Sequence, residues 1–461
     1  MQGIRIMTHS GSDIEQMVSL DRGELDRRIF SDPEIFEREM DMIFGRAWLF
    51  LCHESQIPAA GDFFESVMGR DNVLVVRQND ASIRVFLNSC MHRGNAVCRA
   101  EEGHARSFLC TYHGWSYGID GSLKGVPGVK TFYEGSLDKT ALGLRPVAQV
   151  SSYHGFVFGT HDAGAPPLPD FLGPTGRLAL DLIAARGDME VIPGIQKFVV
   201  DCNWKVAVDN LFDWYHPQVS HASAMMVEAT GRDRRKGQHR AVDMNDVDLE
   251  SGESLGAAVS GISATDFDQV VLVGEYGHGI GGPTTSSMGA VEFDDSWRHT
   301  ERAQELLGTV GASVGGHPSV FPTTWVTMAP VQISLRIPRS PTSTEIWWFS
   351  FVDSALSPEK KAFQARIATR IFGPSGLLEQ DDGENWVQVT VQSHGTASRR
   401  VPHNISMGLG TGRVIHEAGL HRIEGTTSEH GQRWTYRAWR SWMTTDSWAD
   451  ICRDTTPGDV L

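Results

Sequence analysis

The sequence predicts an α+β protein in which one β-rich domain is inserted early in the chain. From about residue 61 to 159, short apolar runs alternate with Gly, Asn and Asp turns; the runs are NVLVVRQ, IRVFLN, RSFLCTY and GFVFGT. This pattern is typical of a small antiparallel β domain. The proline-rich stretch at 166–174 indicates a domain boundary. Beyond it helical and strand patterns mix, as in the strand-like TEIWWFSFVD.

Helix starts are marked by capping residues. Asp32 followed by Pro33 predicts one start, and Ser357 followed by Pro358 predicts another, since a short polar side chain caps a helix and proline suits its first turn. A further helix is predicted over 204–216.

The stretch 274–289 reads GEYGHGIGGPTTSSMG. Its glycine content predicts a mobile loop rather than regular structure. With Tyr276 and His278, such a loop either covers the entrance of a site or lies loose on the surface.

Composition narrows the function classes. The 461 residues carry a net charge of −16 without a basic block, which argues against nucleic acid as a partner. No apolar run reaches the length of a membrane span, and the N-terminus lacks the pattern of a secretory signal, so we expect a cytoplasmic protein. Six cysteines are too few for a disulfide framework in a chain of this length.

The most specific motif is Cys90-Met-His92-Arg-Gly followed by Cys110-Thr-Tyr-His113-Gly-Trp, with 17 residues between the two Cys/His pairs. Thiolates suit iron held by inorganic sulfide, and neutral imidazoles suit the second iron and raise the reduction potential of the cluster. The alternative is a structural zinc site. Zinc sites usually group cysteines and histidines separately, whereas each short motif here carries one of each, so an iron–sulfur cluster is the favoured interpretation.

A second set of metal-type residues follows the helix predicted at 204–216. His216 and His221 lie five positions apart, a spacing that would turn their rings away from each other on a regular helix. Pro217 is expected to break the helix after His216 and to bring His221 back to the same ion. Two histidines and a carboxylate form the facial triad of non-haem Fe(II) sites; the alternative is a pair of hydrogen-bonded core histidines.

Two regions offer the carboxylate. Asp213 shares a helix face with His216 by its i, i+3 spacing. Asp381 and Asp382 lie in FGPSGLLEQDDGENW, starting at Phe372. On sequence alone the two aspartates could equally cap a helix or form a solvated acidic turn.

Together, these motifs resemble the α subunits of Rieske ring-hydroxylating dioxygenases of the naphthalene and biphenyl type. The resemblance implies a Rieske [2Fe-2S] domain at 46–166, bound through Cys90, His92, Cys110 and His113. The remainder, 1–45 and 167–461, is implied to be a catalytic domain whose antiparallel sheet is flanked by helices and whose mononuclear Fe(II) is held by His216, His221 and Asp382, with Asp381 as the neighbouring alternative.

The same resemblance implies an α3β3 assembly with a small β subunit, and electrons from NADH through a reductase and a ferredoxin. Asp213 then bridges His216 to His113 of the partner subunit, and Asn210 joins it as a catalytic residue. The implied reaction is cis-dihydroxylation of an aromatic hydrocarbon. A Rieske monooxygenase, an enzyme acting on an aromatic carboxylate and a simple electron carrier are the alternatives.

The substrate pocket is expected to be apolar. Residues that flank the ligands in sequence are its candidate walls, and by the resemblance Phe372 faces the substrate. The other candidates are Asn210, Leu211, Phe212, Leu377 and Leu378. Apolar walls favour an uncharged ring held by shape and desolvation. Ordinary core packing is the alternative reading for Leu377 and Leu378.

Overall fold

The computed structural model describes residues 10–222, 268–287, 296–425 and 427–458. The chain forms two compact units, one of residues 39–170 and one that combines 1–38 with 171–461. Each unit contains antiparallel sheets, and the larger one adds most of the helices. The predicted α+β class is confirmed.

The smaller unit consists of short antiparallel strands in one four-stranded and two three-stranded sheets. Its central pairs place Val73 opposite Leu87 and Val75 opposite Val85, so β-branched and aliphatic side chains meet on the buried face. The strands are Leu49–His53, Asp62–Met68, Asp71–Arg77, Ile83–Leu87, Glu102–His104, Ser107–Leu109, Ser116–Gly118, Leu123–Gly125, Gln149–Tyr153 and Phe156–Thr160.

The larger unit is built on one ten-stranded antiparallel sheet. Its strands are β1 Met189–Val191, β2 Gln196–Val200, β3 Gln269–Val273, β4 Gly279–Pro283, β5 His317–Val320, β6 Thr324–Met328, β7 Val331–Ser340, β8 Ser343–Asp353, β9 Val414–Glu417 and β10 Leu420–Ile423. The order across the sheet is β1-β8-β7-β6-β5-β4-β3-β10-β9, and β2 also pairs with β8. A separate small sheet joins Val18–Ser19, Glu24–Leu25 and His403–Asn404.

Four helices matter for the site. They are α1 Trp204–Asp209, α2 Pro217–Ser220, α3 Leu377–Ser393 and α4 His430–Thr444. The other α-helices are Gly11–Gln16, Pro33–Glu39, Val129–Phe132, Leu168–Ala184, Glu301–Ala312, Pro358–Ile371 and Trp448–Asp454. Among the described residues, none of the helices combines the length and the apolar character that crossing a bilayer requires.

Both predicted helix starts are confirmed. The Asp32 carboxylate accepts the backbone N–H of Glu34 at 2.8 Å at the start of Pro33–Glu39. The Ser357 hydroxyl accepts the backbone N–H of Lys360 at 3.4 Å at the start of Pro358–Ile371. Each cap satisfies a backbone donor that the first helical turn leaves without a partner.

The loop predicted at 274–289 is wrong for its central part. Gly279–Pro283 forms β4, a fully buried strand between β3 and β5, while residues 288 and 289 lie outside the described residues. The physical reason is close approach. A Cβ on Gly281 would meet Phe212 Cδ1 at 2.8 Å, and one on Gly279 would meet Phe212 Cε1 at 3.0 Å. The glycines thus make room for the aromatic side chain.

Gly281→Ala is therefore expected to lower the free energy of unfolding by about 1–3 kcal/mol, the usual cost of overpacking a filled core. Urea unfolding of the purified protein measures it. Gly11→Ala is the matched control, because a Cβ there comes no closer than 3.9 Å to Thr444 O. Equal unfolding midpoints for the two variants would contradict the packing argument.

Candidate functional site: two metal-type clusters

The two Cys/His motifs form a pair of loops with the same hydrogen-bond pattern. The N–H of Gly94 donates to Cys90 O at 2.8 Å, and the N–H of Gly114 donates to Cys110 O at 2.9 Å. Both glycines have positive φ, +75° and +72°, a conformation that glycine adopts without strain. The Cys90 N–H donates to Asn95 O in the same way as the Cys110 N–H donates to Trp115 O. Both cysteines are thus presented by equivalent turns.

The four side chains predicted to bind a cluster lie together at these turns. The rings of His92 and His113 have their centroids 4.4 Å apart. Cys90 and Cys110 are almost fully buried. His92 also stacks on Trp115, with centroids 5.0 Å apart and an interplanar angle of 6°, which fixes the orientation of the imidazole.

The chemistry of this donor set fits a [2Fe–2S] cluster. Burial raises the pKa of the Cys110 thiol, but hydrogen bonds from the backbone of Tyr112 and from Asn95 outweigh it and lower that pKa below its usual range. Desolvation and the nearby His92 lower the pKa of His113, so the ring is neutral as a ligand must be. In the described part of the chain, the buried His92 Nδ1 has no hydrogen-bond partner and is free to coordinate.

Tyr117 is a contact that sequence reasoning missed. Its hydroxyl lies 3.2 Å from Cys90 Sγ and 3.1 Å from the Met91 nitrogen, and its side chain is fully buried. Met91 N–H donates to the hydroxyl oxygen, which leaves the hydroxyl hydrogen for the sulfur. Hydrogen bonds to cluster sulfurs raise the reduction potential.

Tyr117→Phe is accordingly expected to lower the potential of the cluster. A neutral hydrogen bond is worth about 1 kcal/mol, which corresponds to roughly 40 mV for one electron. A redox titration followed by circular dichroism measures the change. Tyr112→Phe serves as the control, since the Tyr112 side chain is 59% exposed. An unchanged potential in Tyr117→Phe would contradict the assignment.

The second cluster is organised by a break in the chain after α1. The helix predicted over 204–216 is wrong in its second half: α1 ends at Asp209, a 3-10 turn spans Asn210–Phe212, and Asp213 has non-helical φ and ψ of −92° and 82°. The Asp213 carboxylate accepts the His216 N–H at 3.1 Å, and such local side-chain bonds compete with helix formation.

The predicted role of Pro217 is also wrong in mechanism. Pro217 does not end a helix after His216; it is the first residue of the short helix α2, and His216 and His221 flank that helix at its two ends. Proline suits this position because its missing N–H costs nothing in the first turn.

The structure brings His216, His221 and Asp382 together. Asp382 Oδ1 lies 3.2 Å from His216 Nε2 and 3.4 Å from His221 Nε2. One ligand atom from each residue falls within 4.8 Å of the others, which is a spacing that suits a single ion. Asp382 comes from α3, far along the chain, and is almost fully buried.

Each histidine also faces a carboxylate with its other nitrogen. His216 Nδ1 lies 3.4 Å from Asp213 Oδ1, and His221 Nδ1 lies 3.6 Å from Asp381 Oδ2. Carboxylates in this outer position orient metal-bound imidazoles and raise their basicity. The geometry therefore separates Asp382, which faces both Nε2 atoms, from Asp213 and Asp381, which face one Nδ1 each.

The electrostatics of the group fit a cation. Burial lowers the pKa of His216, but its contacts with Asp213 and Asp382 outweigh burial and raise it to about 10. For His221 burial prevails and lowers the pKa. Asp382 Oδ1 is buried and has no hydrogen-bond partner in the described ranges. Two histidines and one carboxylate with open positions are the donor set of mononuclear non-haem iron.

The predicted pocket residues lie in different surroundings. Leu211, Phe212 and Phe372 are buried, Leu378 is half-buried, and Leu377 is exposed. Asn210 opens the 3-10 turn after α1 and is partly exposed. Phe212 fills the space left by the glycines of β4.

Phe372 packs in an aromatic wall that sequence analysis missed. It stacks on Trp348 with centroids 4.9 Å apart, and Trp325 and His317 meet it edge-on at 5.6 and 6.4 Å. Burial, together with proximity to His216, lowers the pKa of His317 to about 3. His317 is thus a neutral ring between the wall and the triad, on β5. Nothing local in its sequence marks it.

Comparisons with known proteins assign two family domains to this chain. Residues 47–150 match the Rieske [2Fe-2S] domain family, and residues 184–445 match the ring hydroxylating alpha subunit catalytic domain family. The chain is 36% identical over 447 residues to biphenyl 2,3-dioxygenase subunit alpha of Rhodococcus jostii RHA1, covering 95% of this chain and 93% of that one.

Two further similarities are to naphthalene dioxygenases. The large oxygenase component of the naphthalene 1,2-dioxygenase system of Pseudomonas putida is 32% identical, with 92% of each chain covered. A solved structure of naphthalene 1,2-dioxygenase with indole bound in its active site superposes with a TM-score of 0.81 at 31% identity, covering 95% of this chain and 96% of that one. The resemblance predicted from the motifs is confirmed.

Proposed function

Because this chain belongs to the α subunits of the ring-hydroxylating dioxygenases, we propose that it catalyses the cis-dihydroxylation of an aromatic hydrocarbon. In this reaction the arene, O₂, two electrons and two protons give one cis-dihydrodiol. The enzyme is an oxygenase whose cofactors are a Rieske [2Fe-2S] cluster and a mononuclear iron. The observation that carries the proposal is the pairing, in one chain, of the Cys/His loops with the triad of His216, His221 and Asp382.

The residues of each site have distinct roles in this proposal. Cys90, Cys110, His92 and His113 hold the cluster, within a domain of residues 46–166. His216, His221 and Asp382 hold the iron, within a catalytic domain formed by 1–45 and 167–461. A mononuclear iron held by the triad would supply O₂ activation, and a cluster held by the Cys/His loops would supply the electrons.

Outer residues orient these ligands. Asp213 and Asp381 fix the imidazoles of His216 and His221 and keep them in the tautomer that presents Nε2 to the ion. Asp213 also bridges to His113 of the partner subunit in an α3β3 assembly, which gives electrons a short path. Asn210, three residues before Asp213 in the chain, completes the catalytic group.

An uncharged ring fits the wall around Phe372. Phe372, Trp348 and Trp325 present aromatic faces and edges, and such walls bind rings by shape and desolvation. The alternative substrate, an aromatic carboxylate, needs a free cation. Arg336 reaches these tryptophans, but its guanidinium is paired with Glu379 at 3.2 Å. This pairing supports the hydrocarbon, with Leu211, Phe212 and Leu378 as the other proposed walls.

The partners follow from the same reaction. Electrons are proposed to come from NADH through a separate reductase and ferredoxin, since a relative is named as one component of a dioxygenase system. We place the enzyme in the cytoplasm, where reduced nicotinamide is available.

Product analysis under ¹⁸O₂ tests the proposal. The protein, reconstituted with iron, a ferredoxin and its reductase, is given naphthalene, biphenyl and benzoate. A cis-diol of naphthalene or biphenyl that carries two labelled oxygens is expected. A single labelled oxygen would make it a monooxygenase, and conversion of benzoate alone would transfer the proposal to aromatic acids. Reduction of the cluster without any product would indicate an electron carrier.

A further inference from the structure

A buried ion pair lies behind the aromatic wall. Arg336 on β7 and Glu379 in the first turn of α3 are 0% and 1% exposed, and Nη1 of the arginine lies 3.2 Å from Oε1 of the glutamate. Burying two charges costs about as much as their attraction returns. Such a pair is therefore a poor source of stability, and its value lies in fixing the position of what it joins.

Three tryptophans cage the guanidinium. Its carbon lies 4.4 Å from the ring centroid of Trp325, 5.2 Å from that of Trp348 and 5.4 Å from that of Trp386. Within the described ranges Arg336 Nε and Nη2 have no hydrogen-bond partner. The aromatic faces thus take the place of hydrogen-bond acceptors, through cation–π attraction, and the orientation of Trp325 and Trp348 depends on the cation between them.

Glu379 also contacts the turn after Phe372, and it lies on the same helix as Asp382. Its second oxygen, Oε2, accepts the N–H of Gly373 at 2.8 Å, immediately after Phe372 in the chain. On α3 it precedes Asp382 by three residues, and so shares a helix face with it. One carboxylate therefore contacts the turn that follows Phe372 and lies on the helix that carries Asp382.

We propose that Arg336 and Glu379 are positioning residues that set the placement of Phe372 relative to Asp382. This placement determines which ring carbons of the substrate are hydroxylated. This inference rests on the function proposed above. Phe372 lies shortly before α3, Asp382 lies in the second turn of that helix, and the pair joins this segment to β7. Loosening this pair shifts Phe372 relative to Asp382 without removing any of the three ligand side chains.

Arg336→Met and Glu379→Gln test the proposal, with biphenyl as the probe because its rings offer 2,3 and 3,4 positions to attack. Arg336→Met removes the cation, and Glu379→Gln keeps the shape but removes the charge. Both are expected to change the ratio of the two diols and to lower kcat by about tenfold or more, as sub-ångström to ångström misplacement does, with the missing electrons recovered as H₂O₂. Arg336→Lys, which retains a cation, is expected to restore part of the wild-type ratio.

Arg339→Met is the matched control. Arg339 lies on the same strand and pairs with Glu345, but its side chain is 34% exposed. Its removal is expected to leave the diol ratio unchanged. All variants are compared at equal iron content and equal cluster absorbance, so that a lost metal is not mistaken for a displaced wall.

A wild-type diol ratio and wild-type coupling in iron-loaded Arg336→Met and Glu379→Gln would overturn the inference. If either variant does not fold, the double variant R336M/E379L, which removes both charges together, is measured in its place; the wild-type ratio there overturns the inference equally. These outcomes are distinct from failure of the proposed function, in which the wild-type enzyme itself forms no diol from biphenyl or naphthalene.

Discussion

Asp382→Ala is expected to abolish ring hydroxylation while leaving the Rieske cluster intact. The carboxylate faces the Nε2 atoms of both His216 and His221, so its loss removes the only anionic member of the triad. Loss of an outer partner of a metal ligand typically lowers metal affinity or activity by about 10- to 100-fold. Loss of the ligand itself should lower them by more than that. The iron content is expected to fall by about one atom per chain, because the proposed triad would hold a single ion.

Asp381→Ala is the control for this prediction. Asp381 is adjacent in sequence, but it faces only His221 Nδ1, at 3.6 Å. Because it is an outer partner, its loss should lower activity by about 10- to 100-fold. Activity is measured as diol formed with excess ferredoxin and reductase, together with iron content. The assignment is wrong if Asp381→Ala loses the iron and Asp382→Ala keeps it.

Asp213→Asn is expected to uncouple the two metal centres without removing either. The carboxylate accepts the His216 N–H at 3.1 Å and faces its Nδ1 at 3.4 Å, and the proposed assembly adds His113 of the partner subunit on its other side. An amide retains the shape but loses the charge that raises ligand basicity. Steady-state turnover should fall by about 10- to 100-fold or more.

Single turnover distinguishes this uncoupling from general damage. The cluster is reduced, substrate and O₂ are added, and the spectrum of the reduced cluster is followed. In Asp213→Asn this spectrum should persist with little diol formed, while iron content equals that of the wild type. Reoxidation at the wild-type rate with stoichiometric diol would show that Asp213 is not in the electron path.

At both sites, the residues that lie close together in the chain could be predicted from the sequence. The Cys/His spacing around Cys90 and Cys110 encodes two equivalent turns, and glycine with positive φ closes each one. Short-range chemistry of this kind is readable because the residues that interact are neighbours in the chain. The likeness of the segment after Phe372 to a known family then supplied Asp382.

The break between α1 and His216 was misread because two local signals compete. The sequence from Trp204 onward predicts a helix that continues to residue 216, but the helix ends at Asp209. The Asp213 side chain accepts the His216 N–H, and this bond competes with helical hydrogen bonding before Pro217. Pro217 was expected to end the helix predicted over 204–216, whereas it begins the separate helix α2.

Long-range partners left no local signal. The glycines of β4 resemble a loop in sequence, and only the position of Phe212 explains why a strand needs them. In the same way, His317 and the pairing of Arg336 with Glu379 depend on how β5, β7 and α3 meet. Periodicity and composition do not encode such pairings, since they are fixed by packing between distant segments.

Metal and sulfide analysis of the anaerobically purified protein, combined with EPR of the reduced state, tests the central claim most directly. Two thiolates with two imidazoles, and separately two histidines with a carboxylate, require about three iron atoms and two sulfides per chain. The reduced cluster should give the EPR signal of a [2Fe–2S] centre with mixed ligands. Zinc in place of the cluster, or two irons in a protein whose His216 and His221 bind no metal, would contradict the account.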